Sequence, residues 1–157
     1  MSNLVQWRVV ADSDSIGEAI KWFSRGQATH VEFCTDDWTQ TIGARAGGGV
    51  QVRPINYAKF QDEWRFQAEA SEEQMNGGMK WLHAQIGKQY DFLNIAAIAL
   101  DRNWNDSSKW ICSKLWVEGM VAFGLLHPLD PRVVNWFTPE DSLLLSLAVF
   151  TQVNQMQ

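Results

Sequence analysis

The sequence predicts an α+β fold, a small antiparallel sheet packed by helices. Two patterns lead there. From Val5 to Ala68, short stretches alternate apolar and polar residues, which is the period of a strand. From Ser71 onward the apolar residues recur at helical spacing instead. Size is the third observation. A chain of 157 residues, 46% hydrophobic and 20% charged, reads as one globular domain over 1–157. No repeat, linker or low-complexity tract divides it.

Taken in order, Val5 to Val9 alternates as a strand. Asp12-Ser13-Asp14-Ser15 then offers helix N-caps. Ile16, Ala19, Ile20 and Phe23 share one helix face, and Gly26 follows as a stop. Thr29 to Cys34 alternates again, and Asp36-Asp37 signals a turn. Thr39 to Arg45 is β-rich, Gly47-Gly48-Gly49 breaks it, and Val50 to Val52 resumes before Pro54. Glu63 to Ala68 makes a further strand, so the set reads as an antiparallel meander. Ser71-Glu72-Glu73 opens a helix through Met75, Met79, Leu82 and Ile86, with Gly87 as its stop. Gly77-Gly78 inside it suggests a bend or a close approach. Phe92 to Leu100 is apolar all round and reads as a buried helix. Asp101 to Ser108 reads as a polar loop, and Cys112 to Met120 as another buried helix. Thr138-Pro139-Glu140-Asp141 places Thr138 at an N-cap and Pro139 at the first helical position.

Composition excludes several classes of function. The net charge is −5 and no stretch clusters Lys or Arg, so nucleic acid is not an expected partner. No apolar run approaches the ~20 residues of a membrane span. The first residues lack the basic and apolar regions of a secretory leader. Two cysteines are too few for a disulfide framework, and a reducing compartment is expected. Nine tryptophans against two tyrosines point to a large apolar core. Trp22 and Trp81 are expected in that core. Trp38 and Trp104, with Trp136 as a third, are the expected surface aromatics.

Three residue types carry chemistry. His30 and Glu32 lie two apart on a strand, so their side chains share a face. Either they form an ordinary pair on a solvated sheet face, or the carboxylate favours the protonated ring and sets its tautomer. Cys112 opens an apolar helix, where the dipole and free N–H groups stabilise a thiolate. The alternative is a buried structural cysteine. Cys34 falls on the face of His30 and Glu32 but lacks a helix N-terminus. No metal-ligand spacing joins these residues. His83 and His127 have no interpretable acidic neighbour, and Gly47–Gly49 is not followed by the Lys of a phosphate loop.

Several segments together resemble a known family. They are Thr29-His30-Val31-Glu32-Phe33, Gly49-Val50 with Val52 and Pro54, Gly87-Lys88-Gln89-Tyr90-Asp91, Trp110-Ile111-Cys112-Ser113-Lys114-Leu115, and Thr138-Pro139-Glu140-Asp141-Ser142-Leu143. In this order they resemble the permuted papain-like cysteine hydrolases, the YiiX/YebB-like branch of the NlpC-type peptidase superfamily. The resemblance spans roughly residues 25 to 145. It implies a circularly permuted papain-like fold, with Cys112 as nucleophile and His30 as general base. It also implies that Tyr90 lines the site or donates to the developing oxyanion. Two positions depart from the pattern. Lys114 stands where the family has an acid after Cys-Ser. Ile42 to Arg45 lacks the Glu that many members carry on the strand after the histidine. Glu32 is the local substitute, because it shares the face of His30.

The resemblance implies a cysteine hydrolase that cleaves an amide, with peptide, peptidoglycan or acyl-amide substrates and no cofactor. Its flavour is that of short bacteriophage and prophage proteins, made in the cytoplasm and in some cases carried in the virion. A second reading is a non-catalytic component of a phage tail that uses the fold as a scaffold, with a protein partner. A third is a thiol acyltransferase or a lipid amidase or esterase.

Overall fold

The computed structural model describes residues 3–13, 15–92 and 108–153. In chain order these form β1 (Leu4–Ala11), α1 (Ser15–Ser24), β2 (His30–Cys34), β3 (Gln40–Arg45), β4 (Gly49–Pro54) and β5 (Asp62–Glu69). Then follow α2 (Glu72–His83), α3 (Cys112–Ala122), α4 (Pro131–Trp136), α5 (Pro139–Val149) and β6 (Thr151–Val153). The fold is mixed α+β, as the sequence predicts. Its strands make one antiparallel sheet in the order β4-β3-β2-β1-β5-β6.

The order corrects the simple meander. The strands β1 to β4 follow one another across the sheet, but β5 crosses back to pair with β1 along its whole length instead of adding to β4. The reason lies in β1, where every residue after Leu4 is buried. A strand so apolar is buried best at the centre of a sheet, with a neighbour on each side. The short β6, unforeseen in the sequence, covers part of the outer edge of β5.

Strand alternation divides the sheet into two faces. Val5, Trp7, Val9, Val31, Phe33 and Ile42 join the core with Leu115, Trp116 and Met120 of α3. Trp7 is fully buried against Phe66, Trp116 and Phe150. Its indole N–H donates to Ser146 Oγ of α5 at 2.9 Å, the partner a buried tryptophan needs. Arg8, His30 and Glu32 occupy the alternate positions and are buried too. Tyr57 and Phe60, from the turn after β4, lie against Arg8 and Arg45 on that second face.

Local signals explain the helix ends. Ser71 and Gln74 form a reciprocal capping box at α2, and Thr138 and Asp141 form another at α5. The helix α2 stops at His83 rather than near Gly87, and turns fill the interval. Gly78 answers the question raised by the paired glycines, since a Cβ there would overlap the Phe123 ring. The helix α4, not expected from the sequence, starts with Asp130 as cap and Pro131 in its first turn. Of the expected buried helix over Phe92 to Leu100, only Phe92 is described, and it is exposed; residues 93–100 lie outside the described residues. The polar loop lies outside them too, except Ser108, and so does Trp104.

Three tryptophans differ from expectation, and one of them, Trp136, is half-buried rather than a surface aromatic. Trp22 is 76% exposed, not core. It lies two residues after Ile20, about 200° around the helix from it. Trp38 is half-buried rather than a surface contact. Its indole N–H reaches the Gln6 side-chain oxygen at 3.0 Å, and Arg65 lies over its ring at 4.8 Å.

Candidate active site

Cys112 is the first residue of α3, and the preceding N-cap, Ile111, has no side chain that can satisfy the helix N–H groups. The backbone N–H groups of Ser113 and Val31 point to the Cys112 sulfur instead. Val31 is available because the ladder between β2 and β3 holds only Phe33↔Ile42 and Cys34↔Thr41. The helix α3 packs on β2 and β3, which brings its first residue to the start of β2. There the thiol hydrogen-bonds to the His30 ring. Both side chains are buried.

The second ring nitrogen has a carboxylate. His30 Nε2 lies 3.0 Å from Glu32 Oε2, which leaves Nδ1 for the thiol. Two residues along one strand thus suffice to bring acid and imidazole together. Space makes it possible: a Cβ at Gly43 would come within 2.7 Å of Glu32 Cβ and 3.5 Å of His30 Nε2. Gly43 sits on β3, within the stretch where the family resemblance expects an acid. Having no side chain there leaves room for Glu32.

Glu32 is itself held. Arg8 Nε donates to Glu32 Oε1 at 2.7 Å, Nη2 lies 2.6 Å from the same oxygen as an ion pair, and both side chains are almost fully buried. Arg8 faces Glu32 directly across the β1–β2 register. Tyr57 donates its hydroxyl to Glu32 Oε2 at 3.2 Å. Arg45 donates to Tyr57 Oη at 2.9 Å and to Asp12 at 2.8 Å. A line of paired groups therefore runs from Cys112 through His30 and Glu32 to Arg8 and Tyr57.

These contacts set the protonation states. Burial by itself raises the Glu32 carboxyl; the charges and hydrogen bonds of His30 and Arg8 outweigh it and bring it down to about 2. Burial works against the protonated His30 ring, but Cys112 and Glu32 raise its pKa above the ordinary value. Burial also disfavours the Cys112 thiolate, and His30 with the two backbone N–H groups lowers its pKa nonetheless. The Tyr57 hydroxyl is pushed up by burial and by Glu32, so it stays a donor. The pair Cys112 and His30 is thus biased toward thiolate and imidazolium.

Tyr90 lies beside this pair. It lines a hollow with Cys112 and a second hollow with His30. A strap of backbone bonds positions it. Gly87 N–H donates to Val50 C=O and Val50 N–H to Lys88 C=O, each at 2.9 Å. Trp110 N–H donates to Gln89 C=O and Asp91 N–H to Trp110 C=O, each at 3.0 Å. Gly49 has φ +65°, and a Cβ there would strike the Lys88 carbonyl. The segments around Gly49, Tyr90 and Cys112, distant in sequence, are therefore one connected piece of backbone.

Cys34 does not join the site. Burial and the nearby Glu32 push its thiol well above the ordinary value, and it lines a separate cavity with Met75 and Met79. His83 and His127 are exposed. Lys114, where the resemblance expects an acid, is buried with its ammonium over the Trp110 ring. Among the described residues, no three His, Cys, Asp or Glu side chains gather in a way that could hold a metal ion.

Sequence reasoning missed Arg8, Tyr57 and Gly43. Arg8 left a signal, a lone charge on the alternate face of an otherwise apolar strand. Tyr57 left none. No protein-family model matches the chain, and no curated protein matches it. No described helix is long and apolar enough to cross a membrane.

Proposed function

We propose that this chain is a cysteine hydrolase acting on an amide or ester. One observation carries the reading: a helix-start thiol paired to an imidazole whose second nitrogen is held by a buried carboxylate. Structural cysteines need no such partner. The Cys112 thiolate attacks the acyl carbon; an S–C bond forms and the carbonyl electrons move onto oxygen. N–H groups in the uncapped first turn of α3, with Tyr90, stabilise that oxyanion. The His30 imidazolium gives its proton to the leaving group as the C–N or C–O bond breaks. His30 then takes a proton from water, the water oxygen attacks the thioester, and the electron pair of the C–S bond returns to sulfur. Glu32 keeps the ring in its tautomer and offsets its positive charge. Peptides, including those of peptidoglycan, are the first substrates to try, on the family resemblance alone, as is a phage or prophage origin.

The test has two parts. Cys112 should alkylate with iodoacetamide at pH 6 faster than Cys34, as mass spectrometry of the modified peptides would show. Cys112→Ala should abolish turnover of any active member of a panel of peptidoglycan fragments, acyl-amides and lipid esters. Turnover that survives the substitution sinks the reading.

A second reading, a scaffold or assembly component, rests on the outer side of α5, where Leu144 and Leu147 are exposed, and on Trp22. A slow, unreactive Cys112 together with self-association in sedimentation would favour it.

A further inference from the structure

The geometry points to a substrate whose acyl part carries a small apolar group, of the size of an alanine methyl, and not a long acyl chain. This inference rests on the hydrolase reading above and names the substrate class at that site.

Two hollows flank the thiol–imidazole pair, and Ile20 and Tyr90 line both. Cys112 lines one and His30 the other. Their order follows from the chemistry. The acyl group ends up on sulfur, and the leaving group departs toward the imidazolium that protonates it. The acyl substituent therefore enters the hollow on the Cys112 side, and the leaving group lies on the His30 side.

The two sides differ in character. The His30 side is polar, with Asp12, Thr29 and Arg45. The Cys112 side is walled by Ile20, Phe23, Tyr90, Ile111, Phe137 and Pro139. Beside the Tyr90 hydroxyl, which serves the oxyanion, three others border it, and each of these already has a bond. Ser24 Oγ accepts from the Gly26 N–H, Ser113 Oγ donates to the Phe137 carbonyl, and Thr138 Oγ1 donates to Asp141 Oδ2. A polar acyl substituent would lose its water here and find those hydroxyls already engaged, which is costly.

Size sets the other limit. The Cys112-side hollow has room for about 30 Å3. The His30-side hollow has about 90 Å3 on the same measure, so the Cys112 side takes the smaller group. The wall is shaped by Ile20 and Phe23, both on α1, which makes this helix the element that sets acyl size.

The experiment compares N-acetyl-Xaa-aminomethylcoumarin amides with Xaa as Ala, Leu, Phe and Asp, and p-nitrophenyl acetate with the octanoate. The wild type should prefer Ala over Leu, Phe and Asp by at least ~10-fold in kcat/KM, the scale of a mismatched apolar pocket. Acetate should be preferred over octanoate. Phe23→Ala should raise the Leu-to-Ala ratio by ~10-fold or more, with Ile20→Ala as a second variant should the first not fold. Equal use of Leu and Ala by the wild type, or a ratio unmoved by either variant, overturns the inference. A Cys112-dependent preference for long chains overturns it and leaves the hydrolase reading standing. If nothing is turned over, that reading fails, and the pocket is tested by alkylation of Cys112. Chloromethyl ketones derived from Ala and from Leu are compared, the thiolate displacing chloride. Faster labelling by the Ala reagent supports the pocket, and equal rates overturn it.

Discussion

Glu32 accepts on both of its oxygens, from Arg8 on one and from His30 and Tyr57 on the other. It is a positioning residue, since it acts on the thiol through the ring. Glu32→Gln keeps the shape and removes the charge. Loss of an orienting acid in triad enzymes costs up to ~10⁴ in kcat, and a loss of that order is the expected upper bound here. A merely structural role would not alter the titration of the ring. The expected signature is therefore a shift of the basic limb of the pH–rate profile to lower pH, because His30 loses a charge that raises its pKa. Arg8 supports the same carboxylate from β1. Arg8→Met leaves a buried negative charge without its arginine partner, and breaking such a pair typically costs about 3–5 kcal/mol. Urea unfolding should show a loss in that range; a change near zero would mean that Glu32 is held by His30 and Tyr57 alone.

At the scale of elements, the site is a junction of a strand start, a helix start and a strap. The strand β2 supplies His30, Glu32 and the Val31 N–H; α3 supplies Cys112; and β3 supplies an absence, the missing side chain at Gly43. Gly43→Ala places a methyl group too close to Glu32 Cβ, so Glu32 must shift from its place beside His30. The expected outcome is a fall in thiol reactivity at pH 6, with α2 and α3 unaffected by circular dichroism. Unchanged iodoacetamide kinetics would show that the pair tolerates the displacement. Close approach also explains how α3 reaches the sheet, because a Cβ at Gly119 would lie 2.6 Å from the Phe33 ring. A larger residue at 119 would push the helix, and its first residue with it, away from β2.

For the whole molecule, the buried charges tie stability to pH. The Glu32 carboxyl titrates near 2 when folded, against an ordinary value of 4.5. Its contribution is therefore fully present above 4.5 and is lost as the pH falls toward 2. His30 has the opposite sign. Its raised pKa gives a contribution that is present below the ordinary 6.5 and is lost as the pH rises through the folded value. Denaturation midpoints measured from pH 2 to 6 should fall at the acid end, and Glu32→Gln should flatten that fall. A wild-type curve that matches the variant's would remove Glu32 from the balance. Activity should follow a bell, rising as the Cys112 thiol ionises below its ordinary 9.0 and falling as His30 deprotonates above its ordinary 6.5.

The sequence by itself determined what backbone periodicity sets within a few residues. The period of two places His30 and Glu32 on one face, and the period of 3.6 with the caps Ser71 and Thr138 defines α2 and α5. It also placed Cys112 at a helix start. Tertiary structure decided the rest. Cys112 and His30 lie 82 residues apart, and only the packing of α3 on the sheet brings them together. The central place of β1 could be assigned only once its two neighbours were known, and that place puts Arg8 opposite Glu32. The exposure of Trp22 and the role of Tyr57 have the same origin. Local geometry is written in neighbouring residues, whereas the partner of a buried charge depends on which distant surfaces exclude water together.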